Sequence, residues 1–133
     1  MLFPKNLKYT KYHRRHNNLI NYRSIRLTWG KFGIKSLDNF YFTSGQIEAV
    51  RRSLKKFLPK NSLIWIKIFP DLSITSKPKE VRMGKGVGSH DHWSVFVRRG
   101  TILFEYNVDS KEEGFLVFKK VKSKFPGRIK FVY

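Results

Sequence analysis

At 133 residues, 41% hydrophobic and 16% aromatic, the chain suits one folded domain with a modest core, which excludes a disordered basic tail. Cysteine is absent, so disulfides and thiolate zinc sites are excluded. Lys and Arg number 28 against 9 Asp and Glu, a formal charge of +19, and self-repulsion of that size calls for a polyanionic partner, nucleic acid being the commonest.

Residues 1–21 read as an extended basic arm in which Lys5, Lys8, Lys11, Arg14 and Arg15 alternate with Phe3, Leu7, Tyr9 and Tyr12. Apolar groups are too sparse there for a stable helix face, so the arm is expected to order on a partner. Interleaved cations and tyrosines suit RNA, because cations neutralise phosphate while rings stack on splayed bases. His13 and His16 are read as polar contacts in a cationic arm, not as metal ligands. Pro4, Lys5 and Lys8 interrupt the start where the apolar core of a secretory signal would lie. The first acid is Asp38, however, a charge bias that transit peptides share.

From Ile25 to Leu37, alternation broken by Gly30 and Gly33 predicts short strands with bends, with Trp29 and Phe32 in the core. Thr43 to Gln46 forms a capping box, and Ile47, Val50, Leu54, Phe57 and Leu58 then recur at helical spacing until Pro59 stops the helix. Arg51, Arg52, Lys55 and Lys56 occupy another sector, with only Glu48 near enough to offset them. Leu63 to Phe69 predicts a central strand; Lys67 interrupts it, and it is far too short to span a membrane. Trp93 to Arg98 and Thr101 to Tyr106 predict a hairpin around Arg99-Gly100. A second helix is expected from Asp109 or Ser110 to Pro126-Gly127, with Phe115, Phe118, Val121 and Phe125 on its apolar side, and a last strand from Arg128 to Val132. The order implies an α+β class, a two-layer sandwich of mostly antiparallel sheet with two helices on one face, in a single domain spanning 1–133.

The remaining stretch, Lys77 to His90, is a long loop with Gly84, Gly86 and Gly88 on alternate positions around Lys85, preceded by Arg82 and Met83. A loop of this length inside a compact domain is usually functional, and glycine lets its backbone approach an anion. Nucleotide-binding spacings fail. Gly84-Lys85 is followed by Gly86 where a P-loop needs Ser or Thr opening a helix, and the dinucleotide fingerprint needs its third glycine one position beyond Gly88. His90-Asp91-His92 resembles a metal site in composition only, since strand alternation would point Asp91 away from both histidines.

Four stretches in order resemble one family: Gln46-Ile-Glu-Ala-Val-Arg-Arg52, Ile64-Trp-Ile-Lys-Ile-Phe-Pro-Asp71, Lys77-Pro with Val81-Arg-Met-Gly-Lys-Gly-Val-Gly88, and Ile102-Leu-Phe-Glu-Tyr106. They are similar to the large-subunit ribosomal protein sixteen family of bacteria and organelles, and Met1-Leu-Phe-Pro-Lys5 also looks like its start. The resemblance implies an α+β structural constituent of the large ribosomal subunit that binds rRNA and helps position tRNA at the aminoacyl and peptidyl sites, with no catalysis and no cofactor. It implies rRNA contacts from Lys5, Lys8, Lys11, His13, Arg14, Arg15, Arg23, Arg51, Arg52 and Lys55, and a tRNA-side tip of Arg82, Met83, Gly84, Lys85, Gly86 and Gly88. Implied partners are large-subunit rRNA, tRNA and neighbouring ribosomal proteins; no membrane and no homo-oligomer is expected.

The chain departs from the family pattern at Asn6-Leu7, where a further basic pair is usual, and at Ser89-His-Asp-His92 before Trp93. Gly114 and Phe115 stand where better helix formers are usual. A family-like start at Met1 leaves no room for a transit peptide, and the Asn, Lys, Ile, Phe and Tyr bias is that of an AT-rich genome. Both point to a mitochondrial ribosome, with a plastid or a bacterial cytoplasm as alternatives. The competing functional reading is a free RNA-processing enzyme, a small metal-assisted nuclease using His90, Asp91 and His92. A DNA-binding reading finds no helix-turn-helix or zinc-finger spacing.

Overall fold

A computed structural model describes residues 2–13, 20–22 and 25–133. The elements follow as β1 (Phe32–Ser36), β2 (Phe40–Thr43), α1 (Ser44–Phe57), β3 (Ile64–Ile66), β4 (Leu72–Ser76), β5 (Ser89–Val97), β6 (Ile102–Tyr106), α2 (Lys111–Val121), a 3-10 turn (Lys122–Lys124) and β7 (Ile129–Val132). The α+β sandwich of antiparallel strands and two helices is as expected, and its strands divide between two sheets, ordered β3-β6-β1-β7 and β2-β5-β4.

Helix α1 begins as its sequence dictates. Gln46 N donates to Thr43 Oγ1 at 3.2 Å and Thr43 N to Gln46 Oε1 at 3.0 Å, a reciprocal cap of the kind that stabilises by ~1 kcal/mol. Ile47, Val50 and Leu54 are fully buried, each contributing ~1.5–3 kcal/mol of apolar transfer. The helix packs against β2, β3 and β5 and against α2, so it holds the two sheets together.

Strand β6 is buried along its whole length, between β1 and β3. Ile102, Leu103, Phe104 and Tyr106 build the core, and Tyr106 OH, its pKa pushed up by burial, donates to Gly114 O at 2.8 Å. Gly114 is a poor helix former with a packing reason: a Cβ there would meet the Phe32 ring at 3.3 Å.

Amid that apolar strand the Glu105 side chain is fully buried, and its carboxylate organises the approach to β1. Trp29 N and Gly30 N donate to Oε2 at 2.8 and 2.9 Å, Thr28 N donates at 3.2 Å to Oε1, and Lys67 Nζ stands 3.6 Å away. Burial alone would raise the Glu105 pKa; the amides of Gly30, Trp29 and Thr28, with the Lys67 charge, outweigh it and hold it below the ordinary glutamate value. Gly30 is required for this approach, since a Cβ would lie 2.8 Å from Tyr106 N.

That anchorage explains several departures from the sequence reading. The segment from Ile25 is no strand: its amides face a carboxylate, and β1 starts only at Phe32. Trp29 is 63% exposed, not core, with Lys67 Nζ 4.3 Å from its ring centre. The stretch around Leu63–Phe69 gives an edge strand of three residues, half-buried throughout, because β6 takes the central place. The expected hairpin of β5 and β6 does not form either. β5 pairs with β2 and β4, β6 with β1 and β3, and the chain crosses between sheets at Arg99-Gly100. Helix α2 ends at Val121, and the 3-10 turn carries the chain on to the buried Phe125.

Candidate nucleic-acid interface

The glycine loop joins β4 to β5, not the β3 stretch to β5, and closes a hairpin whose last registered pair is Ser76 with Ser89. Its glycines have two different jobs. Gly84, Lys85 and Gly86 take φ of 98°, 55° and 83°, three successive left-handed residues, and a Cβ at either glycine would meet nothing within 4 Å. A non-glycine residue in that region costs ~1–2 kcal/mol, so the tip holds Lys85 in a conformation that its own sterics oppose. Gly88 instead sits at the base, where a Cβ would fall 2.2 Å from Ser76 O. The loop is thus free at the tip and tightly closed at the root.

Residues 78–87 are exposed, Met83 at 99%, and Arg82 and Lys85 have no hydrogen-bond or ion-pair partner among the described residues. Lys77 Nζ donates to Gly84 O, folding the stem back on the tip.

Residues 2–13 form neither helix nor strand, and Lys5, Lys8, Lys11 and His13 are exposed along them. Leu2 packs against the core, and Lys11 Nζ donates to Val87 O at 3.4 Å. That contact lays the arm beside the glycine loop, joining two groups of expected binding residues that lie 76 positions apart. Asn21 N donates to Arg99 O at 3.0 Å, and Asn21 Nδ2 to Thr101 Oγ1 at 3.0 Å, which ties the end of the arm to the crossover between the sheets. Arg14, Arg15 and Arg23, also expected here, lie outside the described residues.

On α1, Glu48 offsets more charge than the sequence implied. Arg51 Nε and Nη2 reach its carboxylate at 2.9 and 2.8 Å, and Arg52 Nε at 3.1 Å. Hydrogen bonds from Arg51 and then Arg52 pull the Glu48 pKa down to about 2. Among the described residues Lys55 joins no ion pair, its Nζ donating to Lys60 O at 3.2 Å.

The histidine cluster also differs from its reading. His92 Nδ1 lies 2.8 Å from Asp91 Oδ2, so Asp91 does not point away from both histidines. His90 Nδ1 lies 2.6 Å from Ser73 Oγ, and its ring is 4.6 Å from that of Trp93. Each histidine is held by its own neighbour, and among the described residues no group of three or more His, Cys, Asp or Glu is placed to hold a metal.

Residues 4–132 match the model of the ribosomal protein L16p/L10e family. The chain belongs to that family. Among its relatives are the large ribosomal subunit proteins uL16c of Emiliania huxleyi and Guillardia theta, each 39% identical over 132 residues. These alignments cover 99% of this chain and 96% and 98% of the relatives. The large ribosomal subunit protein uL16 of Christiangramia forsetii is 42% identical over 99% of this chain and 95% of its own. Members of the L16p/L10e family are structural ribosomal proteins, not enzymes, which removes the nuclease reading of His90, Asp91 and His92.

The sequence reading of this L16p/L10e chain missed exposed aromatic side chains. Trp29, taken for core, presents its ring to solvent beneath Lys67, and Tyr22 is 76% exposed. The available signal was Lys67 itself, a charge inside an otherwise apolar run that had to find a polar neighbour. No helix among the described residues is long and apolar enough to cross a membrane.

Proposed function

We propose that this protein is a structural component of the large ribosomal subunit, that the whole of 1–133 acts as one domain there, and that it binds large-subunit rRNA and supports tRNA positioning. In this reading the arm, through Lys5, Lys8, Lys11, His13, Arg14, Arg15 and Arg23, neutralises rRNA phosphates together with Lys55 and the flanks of Arg51 and Arg52. The tip from Arg82 to Gly88 reaches toward tRNA at the aminoacyl and peptidyl sites.

The observation that carries this reading is the tip: three successive left-handed residues, exposed, with two cations that are unpaired among the described residues, on a base closed too tightly for a Cβ at Gly88. Strain retained at an exposed loop tip fits a surface shaped for a partner. Cations beside backbone free to approach closely fit a phosphate ribbon. The contact of Lys11 with Val87 supports one continuous RNA-facing surface made of arm and loop.

A mitochondrial ribosome is the compartment we propose, on the Asn, Lys, Ile, Phe and Tyr bias of the composition. The relatives named above bear plastid-type and bacterial names and support a ribosome without choosing this one. Sedimentation of a cell extract at moderate salt tests the reading. The chain is expected with the large subunit and with mitochondrial rRNA. Recovery at the top of the gradient refutes the ribosomal role, and recovery with plastid or bacterial rRNA refutes the compartment alone.

A further inference from the structure

Between the end of α1 and the start of α2 lies an open groove of about 530 Å3, with the buried Leu58 and Val108 in its floor. Phe57, 36% exposed, and Leu116, 52% exposed, stand over it. The volume falls within the ~300–1,000 Å3 typical of binding clefts.

The charged residues lining this groove are Glu112 and Glu113, two of only nine acids in a chain with 28 Lys and Arg. Among the described residues neither carboxylate joins an ion pair. Their place in the first turn of α2 gives a helix-dipole benefit of ~0.3–1 kcal/mol, which accounts for the carboxylates but not for the apolar walls beside them. Lys56 and Lys120 stand near the groove without lining it, and their amines lie over the Phe57 ring at 5.9 and 5.0 Å.

We infer that this groove seats an extended basic segment of a neighbouring protein in the same subunit, an inference that rests on the ribosomal reading above. Charge complementarity selects the occupant. Rim carboxylates repel phosphate, and they suit Lys or Arg side chains flanking one apolar residue set between Phe57 and Leu116. The groove thereby becomes a protein-facing patch beside the Lys55 side of α1, which the reading above turns to rRNA.

The test uses the full chain in assembled ribosomes, with a photoreactive phenylalanine analogue in place of Leu116, and identifies what is crosslinked in purified large subunits. A crosslink to a basic stretch of another ribosomal protein is expected. Its yield should fall at least about tenfold when Glu112→Lys and Glu113→Lys are added, with sedimentation unchanged. A crosslink to rRNA alone, no crosslink in subunits that carry the chain, or a yield indifferent to the charge reversal overturns the docking site and leaves the ribosomal role intact. Absence of the unsubstituted chain from the large subunit overturns both.

Discussion

Replacing Arg82 and Lys85 together by Ala separates a binding loop from a structural one. Both side chains are exposed and, among the described residues, unpartnered, so their loss from the folded state should cost less than ~1 kcal/mol in total. For a chain of this size that is a melting shift of no more than ~5 °C. If each ammonium or guanidinium meets a phosphate oxygen, the pair contributes ~2 kcal/mol of partly solvated charge-assisted contact. Losing it weakens tRNA binding ~30-fold and lowers the slope of log affinity against log salt by ~2. The assay measures tRNA retention at the aminoacyl and peptidyl sites of ribosomes carrying the variant, over a range of salt, beside thermal melting of the isolated protein. Retained tRNA affinity in subunits that contain the variant defeats the tRNA-facing assignment. A melting loss well beyond ~5 °C shows instead that the loop supports the fold.

Gly86→Ala puts its Cβ into open space but at a φ of 83°, so ~1–2 kcal/mol of strain should fall on the tip with the body of the protein unchanged, whereas Gly88→Ala drives a Cβ against Ser76 O and should cost ~1–3 kcal/mol, read as faster hydrogen exchange where β4 meets β5. Glu105→Ala orphans the amides of Thr28, Trp29 and Gly30 and removes the counter-charge of Lys67; a loss of ~3–5 kcal/mol, or at least ~10 °C in melting, is expected, with a changed tryptophan fluorescence. The depressed pKa of Glu48, about 2 against 4.5, makes its share of stability present above pH 4.5 and lost as pH falls toward 2; Glu105, also depressed, acts in the same direction. Solvation limits the Glu48 share to ~0.5–1 kcal/mol, so Glu48→Gln should flatten the acid side of the melting curve slightly and Glu105→Gln considerably more.

Local signals were the ones the sequence conveyed well. The Thr43 cap and the Ile47, Val50, Leu54 stripe lie within four residues of what they bond or bury, so α1 could be read to within a residue of its start. Strand partners are not local. Nothing near Arg99-Gly100 says that Val97 will pair with Phe40 while Ile102 pairs with Lys35, and a tight turn between two apolar runs reads as a hairpin in either case. Strands β2 and β4 escaped for a related reason: Phe40–Thr43 is four residues pressed against a helix cap, and Leu72–Ser76 alternates with serine behind a Pro-Asp turn. Glu105 was hidden because a lone carboxylate in an apolar run is interpretable only once its donors are known. The glycine loop was visible as a candidate, but the different tasks of Gly84, Gly86 and Gly88 depend on φ and on the position of Ser76 O.

The placement of the acids explains how a +19 chain stays folded and what it still lacks. Glu105 is used inside the core, Glu48 holds two arginines, Asp38 grips the Arg128 guanidinium at 2.9 Å, and Asp91 holds His92. Each spends its charge locally, on structure. Among the described residues the cations of the arm and of the loop tip join no ion pair, and Lys11 brings the arm against the loop, so cations are gathered there with only Glu80 close in sequence. Such an arrangement carries a standing repulsion that only an external polyanion removes, and binding that favours the folded chain stabilises it by mass action. The conformation of the arm should therefore be coupled to RNA binding far more strongly than that of the sheets. Added rRNA fragment should protect the arm from protease at concentrations that leave exchange in β1 and β6 unchanged. Equal protection of arm and core would mean instead that the whole domain, and not its cationic surface, is what RNA stabilises.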